Sequence, residues 1–253
     1  MRILILGGTT EARQAAEKLA ALPELDVALS LAGRTENPVR QPVPVRVGGF
    51  GGAEGLARHL AEQRVDLLID ATHPYAARIS ANAAKAAQQA GVAILALRRP
   101  GWERREGDRW TFAEDVTDAV GALGHAPRRV FLSIGRQEAG AFAAAPQHFY
   151  LVRSVDPVEP PLAAPDVRYI LARGPFAEEA ELALLGENRI DAVVSKDSGG
   201  AASYGKIAAA RALGIEVIMI RRPVLPQVPS ASTVAELVEM AVAHFGLVAA
   251  RGV

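Results

Sequence analysis

The chain contains no cysteine, which excludes disulfide bonds, thiolate catalysis and cysteine-ligated metals. Aromatic residues are scarce at 5%, whereas 50% of the 253 residues are hydrophobic, a composition that suits close packing of strands against helices. With so much apolar sequence, disorder is not expected. The formal net charge is zero, so no basic field favours binding to nucleic acid or to an anionic membrane.

Long hydrophobic runs are also lacking. The N-terminal MRILILGG holds only about four apolar residues before its glycines, fewer than the ~7–15 of a secretory signal. No segment of the sequence approaches the ~20 apolar residues of a membrane span. We therefore expect a cytoplasmic monomer or small homo-oligomer that binds neither membranes nor nucleic acid.

Short apolar runs alternate with helical periodicity along the chain, which predicts βαβ units and parallel sheets. We expect an α/β fold of two Rossmann-like, open parallel-sheet domains with an interdomain cleft, the first (1–99) binding the nucleotide and the second (100–253) contributing to the cleft. The polar, turn-rich segment 98–109 is the predicted linker, and the proline-rich segment 156–165 a connection. The predicted strands are Arg2–Leu6, Val27–Leu31, Val65–Ile69, Val92–Leu97, Val130–Ile134, Phe149–Val152, Val167–Ala172, Ile190–Val194 and Val217–Ile220. The predicted helices are Thr10–Ala21, Ala53–Gln63, Ala76–Ala90, Ala177–Glu187, Ala201–Leu213 and Thr233–Phe245.

A glycine turn, Gly7-Gly8-Thr9-Thr10-Glu11, follows the first predicted strand. Ligands of open parallel sheets bind at the carboxyl ends of the strands. Glycines let the main chain approach a ligand, and the N–H groups of a helix that starts near Thr10 suit a phosphate, so we assign these five residues to cofactor binding. Because a larger residue stands at the third glycine of the GxGxxG pattern, a plain βα turn with a threonine cap is the alternative.

The end of the second predicted strand indicates the kind of nucleotide. Arg34 and Thr35 follow that strand, and no acidic residue stands at the strand end. An acidic side chain at this place suits the ribose 2′-OH of NAD, whereas an arginine accommodates the 2′-phosphate of NADP. We infer NADPH as the cofactor, with Arg34 and Thr35 on its 2′-phosphate. A solvated loop arginine is the alternative.

A dense polar set, Asp70, Thr72, His73 and Tyr75, follows the third predicted strand. Hydroxyl, imidazole and phenol groups donate, accept or transfer protons. His73 and Tyr75 are therefore candidates for catalysis and Thr72 for cofactor binding, while Asp70 is equally well explained as a turn residue. No second histidine or carboxylate stands at metal-ligand spacing, so no metal site is expected.

The segment 194–206 (VSKDSGGAASYGK) joins a predicted strand to a predicted helix and holds two of the four lysines. Serines, adjacent glycines and lysines at such a junction suit an anion, either of the cofactor or of the substrate. The candidates are Lys196 and Tyr204 for catalysis, Ser198, Gly199 and Gly200 for the cofactor, and Ser195, Lys196 and Lys206 for the substrate. Arg136 and Arg173 follow two other strands and are candidate carboxylate clamps, with a surface role as the alternative.

Together these motifs resemble those of the precorrin-6A reductase family. The resemblance covers most of the chain in order and is most specific in DATHPYA and in the SK-x-SGG…Y-x-K loop. The matching segments are GGTTEAR (7–13), AGRT (32–35), DATHPYAARIS (70–80), RRPGW (98–102), SIGRQE (133–138), ARGPF (172–176), SKDSGGAASYGKIAAARALGI (195–215) and IRRP (220–223).

The resemblance implies that NADPH reduces a conjugated carbon–carbon double bond of precorrin-6A to a CH–CH bond, which gives precorrin-6B in cobalamin biosynthesis. It implies a tetrapyrrole-derived small-molecule substrate with several acetate and propionate carboxylates, to which a cleft rimmed by arginine is suited. Two other functions use similar phosphate-binding turns and stay open: a nucleotide-sugar transferase and a non-catalytic NADP(H)-binding sensor.

Overall fold

The computed structural model describes residues 1–33 and 39–247, and this part of the chain holds twelve β-strands and eight α-helices. The strands are β1 (Arg2–Leu6), β2 (Asp26–Leu31), β3 (Val45–Val47), β4 (Leu67–Asp70), β5 (Ala93–Leu97), β6 (Arg109–Ala113), β7 (Arg129–Ser133), β8 (Phe149–Ser154), β9 (Val167–Leu171), β10 (Ala192–Lys196), β11 (Glu216–Ile220) and β12 (Ser230–Ala231). The α-helices are α1 (Thr10–Ala20), α2 (Ala53–Glu62), α3 (Ala77–Ala90), α4 (Val116–Ala122), α5 (Arg136–Ala139), α6 (Glu178–Glu187), α7 (Gly205–Ala212) and α8 (Val234–His244). Two 3₁₀ helices cover Gly140–Ala144 and Ala201–Ser203.

The chain divides into two compact units. Unit 1 contains Met1–Pro100 and the segment that begins at Pro223, and unit 2 contains Gly101–Arg222. Each unit holds one six-stranded sheet, in the order β12-β5-β4-β1-β2-β3 in unit 1 and β6-β11-β10-β7-β8-β9 in unit 2. All pairs in both sheets are parallel, so the predicted α/β class with two parallel sheets is confirmed.

The alternation of side chains along the strands of unit 1 gives its sheet two apolar faces. Ile3 and Ile5 of β1 pack with α1 and α8, whereas Leu4 and Leu6 of the same strand pack with α2 and α3. Successive side chains of a strand point to opposite faces, so a fully buried strand reads as a continuous apolar run, as RILIL does.

The buried core of unit 2 is built on the same principle. Phe131 of β7, Leu151 of β8, Val193 of β10 and Met219 of β11 are all buried in one cluster. Ile207, Ala209 and Ala210 of α7 pack against it, and small alanines let this helix lie close to the sheet. Burial of the apolar central strands against α7 therefore stabilises the sheet of unit 2.

The division of the chain corrects the predicted domain limits. The predicted second domain, 100–253, includes a segment that returns to unit 1: Ala231 of β12 pairs with Leu97 of β5, and Leu237 of α8 belongs to the core around α1. Unit 2 therefore ends at Arg222. The predicted linker, 98–109, is too long, because Gly101–Asp108 belong to unit 2 and Arg109 starts β6.

Five elements are absent from the predicted strands and helices listed above: β3, β6, β12, α4 and α5. Four of them are short, with three residues in β3, two in β12, seven in α4 and four in α5. β3 and β6 also lie at sheet edges and carry exposed apolar side chains, so they lack the buried apolar run that marks a central strand. Within 1–33 and 39–247, no helix combines the length and apolar content that crossing a membrane requires.

Candidate functional site

A cavity of about 300 Å³ lies at the carboxyl ends of β1, β2 and β4 in unit 1. The chain leaves β1 toward β2 on one side, while β4 lies on the other side, so the cavity occupies the switch point of the sheet. The described residues that line it are Leu6, Gly7, Ser30, Ala32, Gly48, Gly49, Phe50, Gly51, Gly52, Leu56, Thr72, Arg78, Ile79 and Asn82. Of these, Arg78 alone is charged.

The predicted glycine turn (Gly7–Glu11) adjoins this cavity through Gly7. Gly8 has φ +116°, a conformation that side-chain-bearing residues rarely adopt. Thr9 is the N-cap of α1: its hydroxyl oxygen accepts from the N–H of Ala12 at 3.0 Å. The same hydroxyl donates to the carbonyl of Ala71 at 3.0 Å, so its hydrogen is already used. Thr9 therefore shapes the turn and contributes no free hydroxyl donor.

The other two residues of the turn differ in their surroundings. Thr10 is exposed at the start of α1. Glu11 forms an ion pair with Arg99, with Nη1 2.5 Å from Oε2. This ion pair compensates the one carboxylate of the glycine turn, where an unpaired negative charge would repel a phosphate.

A second glycine-rich segment, Gly48–Gly52, was not predicted as part of the site. We call it the glycine loop, and all five of its residues line the cavity. A Cβ built on Gly48, Gly49, Gly51 or Gly52 would meet no atom within 4 Å, so these glycines border open space. The signal in the sequence was GGFGG, with four glycines in five residues directly after β3.

The Arg46 side chain and helix α2 both contact the glycine loop. Arg46 donates to the carbonyl of Gly48 and, at 2.8 Å, to that of Gly49, and its guanidinium lies 3.9 Å from the centre of the Phe50 ring. Gly55 of α2 packs directly against the loop, because a Cβ at this position would lie 1.7 Å from the carbonyl oxygen of Phe50. Arg46 and α2 thus both hold the main chain of the glycine loop in position.

A buried ion pair fixes the polar end of β4. The Asp70 carboxylate accepts from Arg98 Nη2 at 2.6 Å and from the Thr72 hydroxyl at 2.6 Å. Burial raises the pKa of Asp70, but Arg98 and the hydrogen bonds together lower it below its usual range. The ionised Asp70 carboxylate thus only accepts hydrogen bonds, and the Thr72 hydroxyl donates its one hydrogen to it. Thr72, which lines the cavity, therefore offers lone pairs to a ligand.

His73 and Tyr75, predicted as catalytic, lie together in unit 1 directly after β4. Their rings are 5.6 Å apart, and His73 Nδ1 accepts from the main-chain N–H of Tyr75 at 3.3 Å. A nitrogen that accepts carries no hydrogen, so the proton of a neutral His73 sits on Nε2. The predicted Arg34 and Thr35 lie outside the described residues.

The segment 195–206 of unit 2 is held by ion pairs and by hydrogen bonds. Lys196 pairs with Glu138 of α5. Asp197 accepts from the main-chain N–H of Trp102 at 2.9 Å, and Arg222 donates to its carbonyl at 2.8 Å. Ser198 shares a hydrogen bond of 2.9 Å with Ser203. Gly199 and Gly200 lie between these anchors, and Gly199 has φ +69°.

Two residues predicted to bind substrate are buried instead. Ser195 has no exposed surface, and its hydroxyl donates to the carbonyl of Lys196 at 3.1 Å. Lys206 is 3% exposed, donates to the carbonyl of Ser203 at 2.8 Å and lies 5.0 Å from the centre of the Trp102 ring. Burial, together with nearby Arg153, lowers the pKa of Lys206 to about 7. Both residues support the segment from inside.

The remaining candidates of unit 2 are closer to its surface. The Tyr204 hydroxyl accepts from Arg211 at 3.0 Å, and its ring makes an edge contact with Trp102. Arg136 is half-buried at the start of α5, and Arg173 is exposed between β9 and α6. Lys196 and Tyr204 thus belong to unit 2, whereas His73 and Tyr75 belong to unit 1.

The strand order around β1 and the cavity at the switch point are those of Rossmann-type α/β proteins, which bind their ligands at this place. A family model described as Precorrin-6x reductase CbiJ/CobK matches residues 2–241. The chain belongs to this family, so it is an oxidoreductase of cobalamin biosynthesis.

Individual relatives agree with the family model. The chain is 59% identical to a precorrin-6A reductase of Sinorhizobium sp over 96% of this chain and 93% of that protein. It is 43% identical to a precorrin-6A reductase of Mycobacterium tuberculosis over 89% of this chain and 90% of that protein. A solved structure described as CobK precorrin-6A reductase superposes over 100% of both chains with a TM-score of 0.93 at 48% identity.

Proposed function

We propose that this chain is an NADPH-dependent precorrin-6A reductase, which reduces a carbon–carbon double bond of the macrocycle to give precorrin-6B. The cavity at the switch point of unit 1, bordered by the glycine turn and the glycine loop, carries this proposal. Its volume is at the lower end of the ~300–1,000 Å³ of small-molecule pockets, so it suits one part of a dinucleotide. The protein would act in the cytoplasm as a monomer or small homo-oligomer.

The residues around the cavity fit a nucleotide cofactor. The glycines that border open space let a ligand approach the main chain. Main-chain N–H groups of the glycine turn (Gly7–Glu11) would hold the diphosphate, while the Glu11 carboxylate stays paired with Arg99. The Thr72 oxygen would accept from a hydroxyl or an amide of the cofactor, because its own hydrogen is used by Asp70. Arg34 and Thr35 would hold the 2′-phosphate and select NADPH over NADH.

When bound, NADPH supplies the hydride. The protein has to position the substrate and to provide a proton at the carbon next to the one reduced. His73, Tyr75, Lys196 and Tyr204 remain the candidates for that proton. A neutral His73 carries its proton on Nε2, and the Tyr204 hydroxyl oxygen accepts from Arg211, a bond that does not use the Tyr204 hydrogen. Lys196 shares its charge with Glu138.

The substrate carries several carboxylates, and cationic side chains of unit 2 suit them. Arg136 and Arg173 would bind carboxylates through their planar guanidinium groups. Ser198, Gly199 and Gly200 would contact the cofactor through the main chain, since the Ser198 hydroxyl is paired with Ser203. Ser195 and Lys206 would act indirectly, because both are buried.

Identity to relatives favours a substrate without cobalt. Four relatives named precorrin-6A reductase, from different organisms, are 43–59% identical to the chain. Three relatives named cobalt-precorrin-6A reductase are 26–28% identical. We therefore propose metal-free precorrin-6A as the substrate.

The test is oxidation of NADPH by the purified chain with precorrin-6A, with cobalt-precorrin-6A as the comparison. We expect the absorbance band of the reduced nicotinamide to decline only in the presence of the ring, and faster with the metal-free ring. Binding without oxidation would instead point to a nucleotide sensor, and binding of a nucleotide-sugar to a transferase. Arg34→Glu should weaken NADPH by more than ~2 kcal/mol and NADH much less, whereas equal weakening of both would remove the NADP assignment.

A further inference from the structure

The first two turns of α3 carry two polar side chains that line the cavity. Arg78 and Asn82 stand four residues apart, so they lie on the same face of the helix, and both line the cavity. Within 1–33 and 39–247, neither side chain makes a hydrogen bond or an ion pair. Two polar side chains that line one cavity and have no partner among the described residues point to recognition of a ligand.

The position of Arg78 also points to an anion. A cation near the N-terminus of a helix opposes the helix dipole, and α3 has neither an acidic residue in its first turn nor a side-chain cap. Arg78 is also the one charged residue among the described residues that line the cavity. An anion bound in the cavity would remove this unfavourable arrangement and pair with the guanidinium at the same time.

We propose that Arg78 and Asn82 recognise the ADP part of the cofactor, Arg78 through the diphosphate and Asn82 through the edge of the adenine. This inference rests on the proposed function, because it presupposes an adenine dinucleotide in the cavity. Arg78 shares the cavity with Gly7, the residue that leads into the turn proposed for the diphosphate. A carboxamide offers one donor and one acceptor side by side, which matches N7 and the amino group of adenine.

The diphosphate arm uses Arg78→Ala, with Arg58→Ala as the control. Arg58 is an exposed arginine of α2 that does not line the cavity, so the control removes the same charge from the neighbouring helix. Binding to the full chain is measured by fluorescence titration with NADPH and NADH, and by competition with adenosine 2′-monophosphate, which lacks the diphosphate. We expect Arg78→Ala to raise the Kd for NADPH and for NADH by about tenfold or more, and by similar factors.

The same variant should change binding of adenosine 2′-monophosphate less than twofold, and Arg58→Ala should change no ligand more than twofold. Equal behaviour of Arg78→Ala and Arg58→Ala would overturn the inference and leave the proposed function standing. Weakening of NADPH and adenosine 2′-monophosphate, but not of NADH, would also overturn it, because the cation would then serve the 2′-phosphate. A wild-type chain that binds no NADPH would overturn both proposals.

The adenine arm compares NADPH with its deamino analogue, which carries hypoxanthine in place of adenine. The wild type should prefer NADPH by about tenfold, and Asn82→Ala should abolish this preference. Gln89→Ala, an exposed amide on the same helix, should keep it. Alanine favours a helix more than asparagine does, so a lost preference would not come from unfolding of α3. A preference that survives in Asn82→Ala would contradict the assignment to adenine.

Discussion

The variant Asp70→Asn tests whether the polar end of β4 depends on its buried ion pair. Asp70 is fully buried, and Arg98 Nη2 lies 2.6 Å from its carboxylate. Asparagine keeps the shape of the side chain but removes its charge, which leaves the guanidinium without a counter-ion. Loss of one partner of a buried pair costs about 3–5 kcal/mol. Because the Arg98 side chain keeps 20% of its surface exposed, we expect the lower end, about 3 kcal/mol.

A matched control is Asp26→Asn, which removes the partner of Arg2 in the same sheet. That pair is 2.7 Å long, but its side chains are 45% and 58% exposed, and exposed pairs contribute about 0–1 kcal/mol. The free energy of unfolding is measured by urea denaturation, and hydrogen exchange in peptides that span β1 and β4 reports on unit 1 directly. If Asp70→Asn were no more destabilising than Asp26→Asn, the reasoning about the buried pair would be refuted.

The pH dependence of the same variant gives a second readout. Despite burial, which raises it, the pKa of Asp70 is lowered overall by Arg98 and by the hydrogen bonds to the carboxylate. A carboxyl group whose folded pKa is lowered stabilises the fold above its unfolded pKa of about 3.9, and this contribution is lost as the pH falls through the folded value. The difference in stability between wild type and Asp70→Asn should therefore shrink below about pH 4.

Three further changes test the supports of the site. Gly55→Ala should destabilise unit 1 by about 1–3 kcal/mol and weaken nucleotide binding, because the added Cβ would lie 1.7 Å from the Phe50 carbonyl oxygen. The control is Gly186→Ala on α6, where the added Cβ meets open space. This control should change neither the free energy of unfolding nor nucleotide binding. Thr72→Val should lower the unfolding free energy by about 1–3 kcal/mol, since Asp70 loses a donor, and Thr72→Ser should restore it. Because burial lowers the folded pKa of Lys206 to about 7, the free energy of unfolding should rise by about 1 kcal/mol per pH unit from pH 7 toward pH 10. A pH series of Lys206→Met that still showed this rise would contradict the assignment.

Most strands and helices could be predicted from the sequence, because the central strands are continuous apolar runs. Arg2–Leu6 was predicted at its observed bounds, and Val217–Ile220 differs from β11 by one residue. The return of the C-terminal segment to unit 1 was not predictable in this way. β12 has two residues, and no periodicity tells which sheet so short a strand will join. Its partner is determined by packing of α8 on α1, which is a contact across the whole chain.

The candidate site was predicted where local motifs coincide with strand ends. The glycine turn adjoins the cavity, and Thr72 lines it. Burial could not be inferred from the sequence of the loop 195–206, because serine and lysine are usually exposed, so the burial of Ser195 and Lys206 was not predicted. Arg78 was missed for the opposite reason, since an arginine in an alanine-rich helix looks like an ordinary surface residue until the cavity beside it is known.

The arginines that follow β5 have a further electrostatic consequence for unit 1. Arg98 pairs with Asp70 and Arg99 with Glu11, so the acidic side chains at the end of β4 and at the start of α1 are both neutralised. An uncompensated carboxylate at either place would repel an anion at the carboxyl ends of the strands. With both paired, the guanidinium of Arg78 is the one charged group among the described residues that line the cavity. The segment Arg98-Arg99, which the sequence suggested as the start of a linker, is therefore part of what makes this cavity suitable for a phosphorylated ligand.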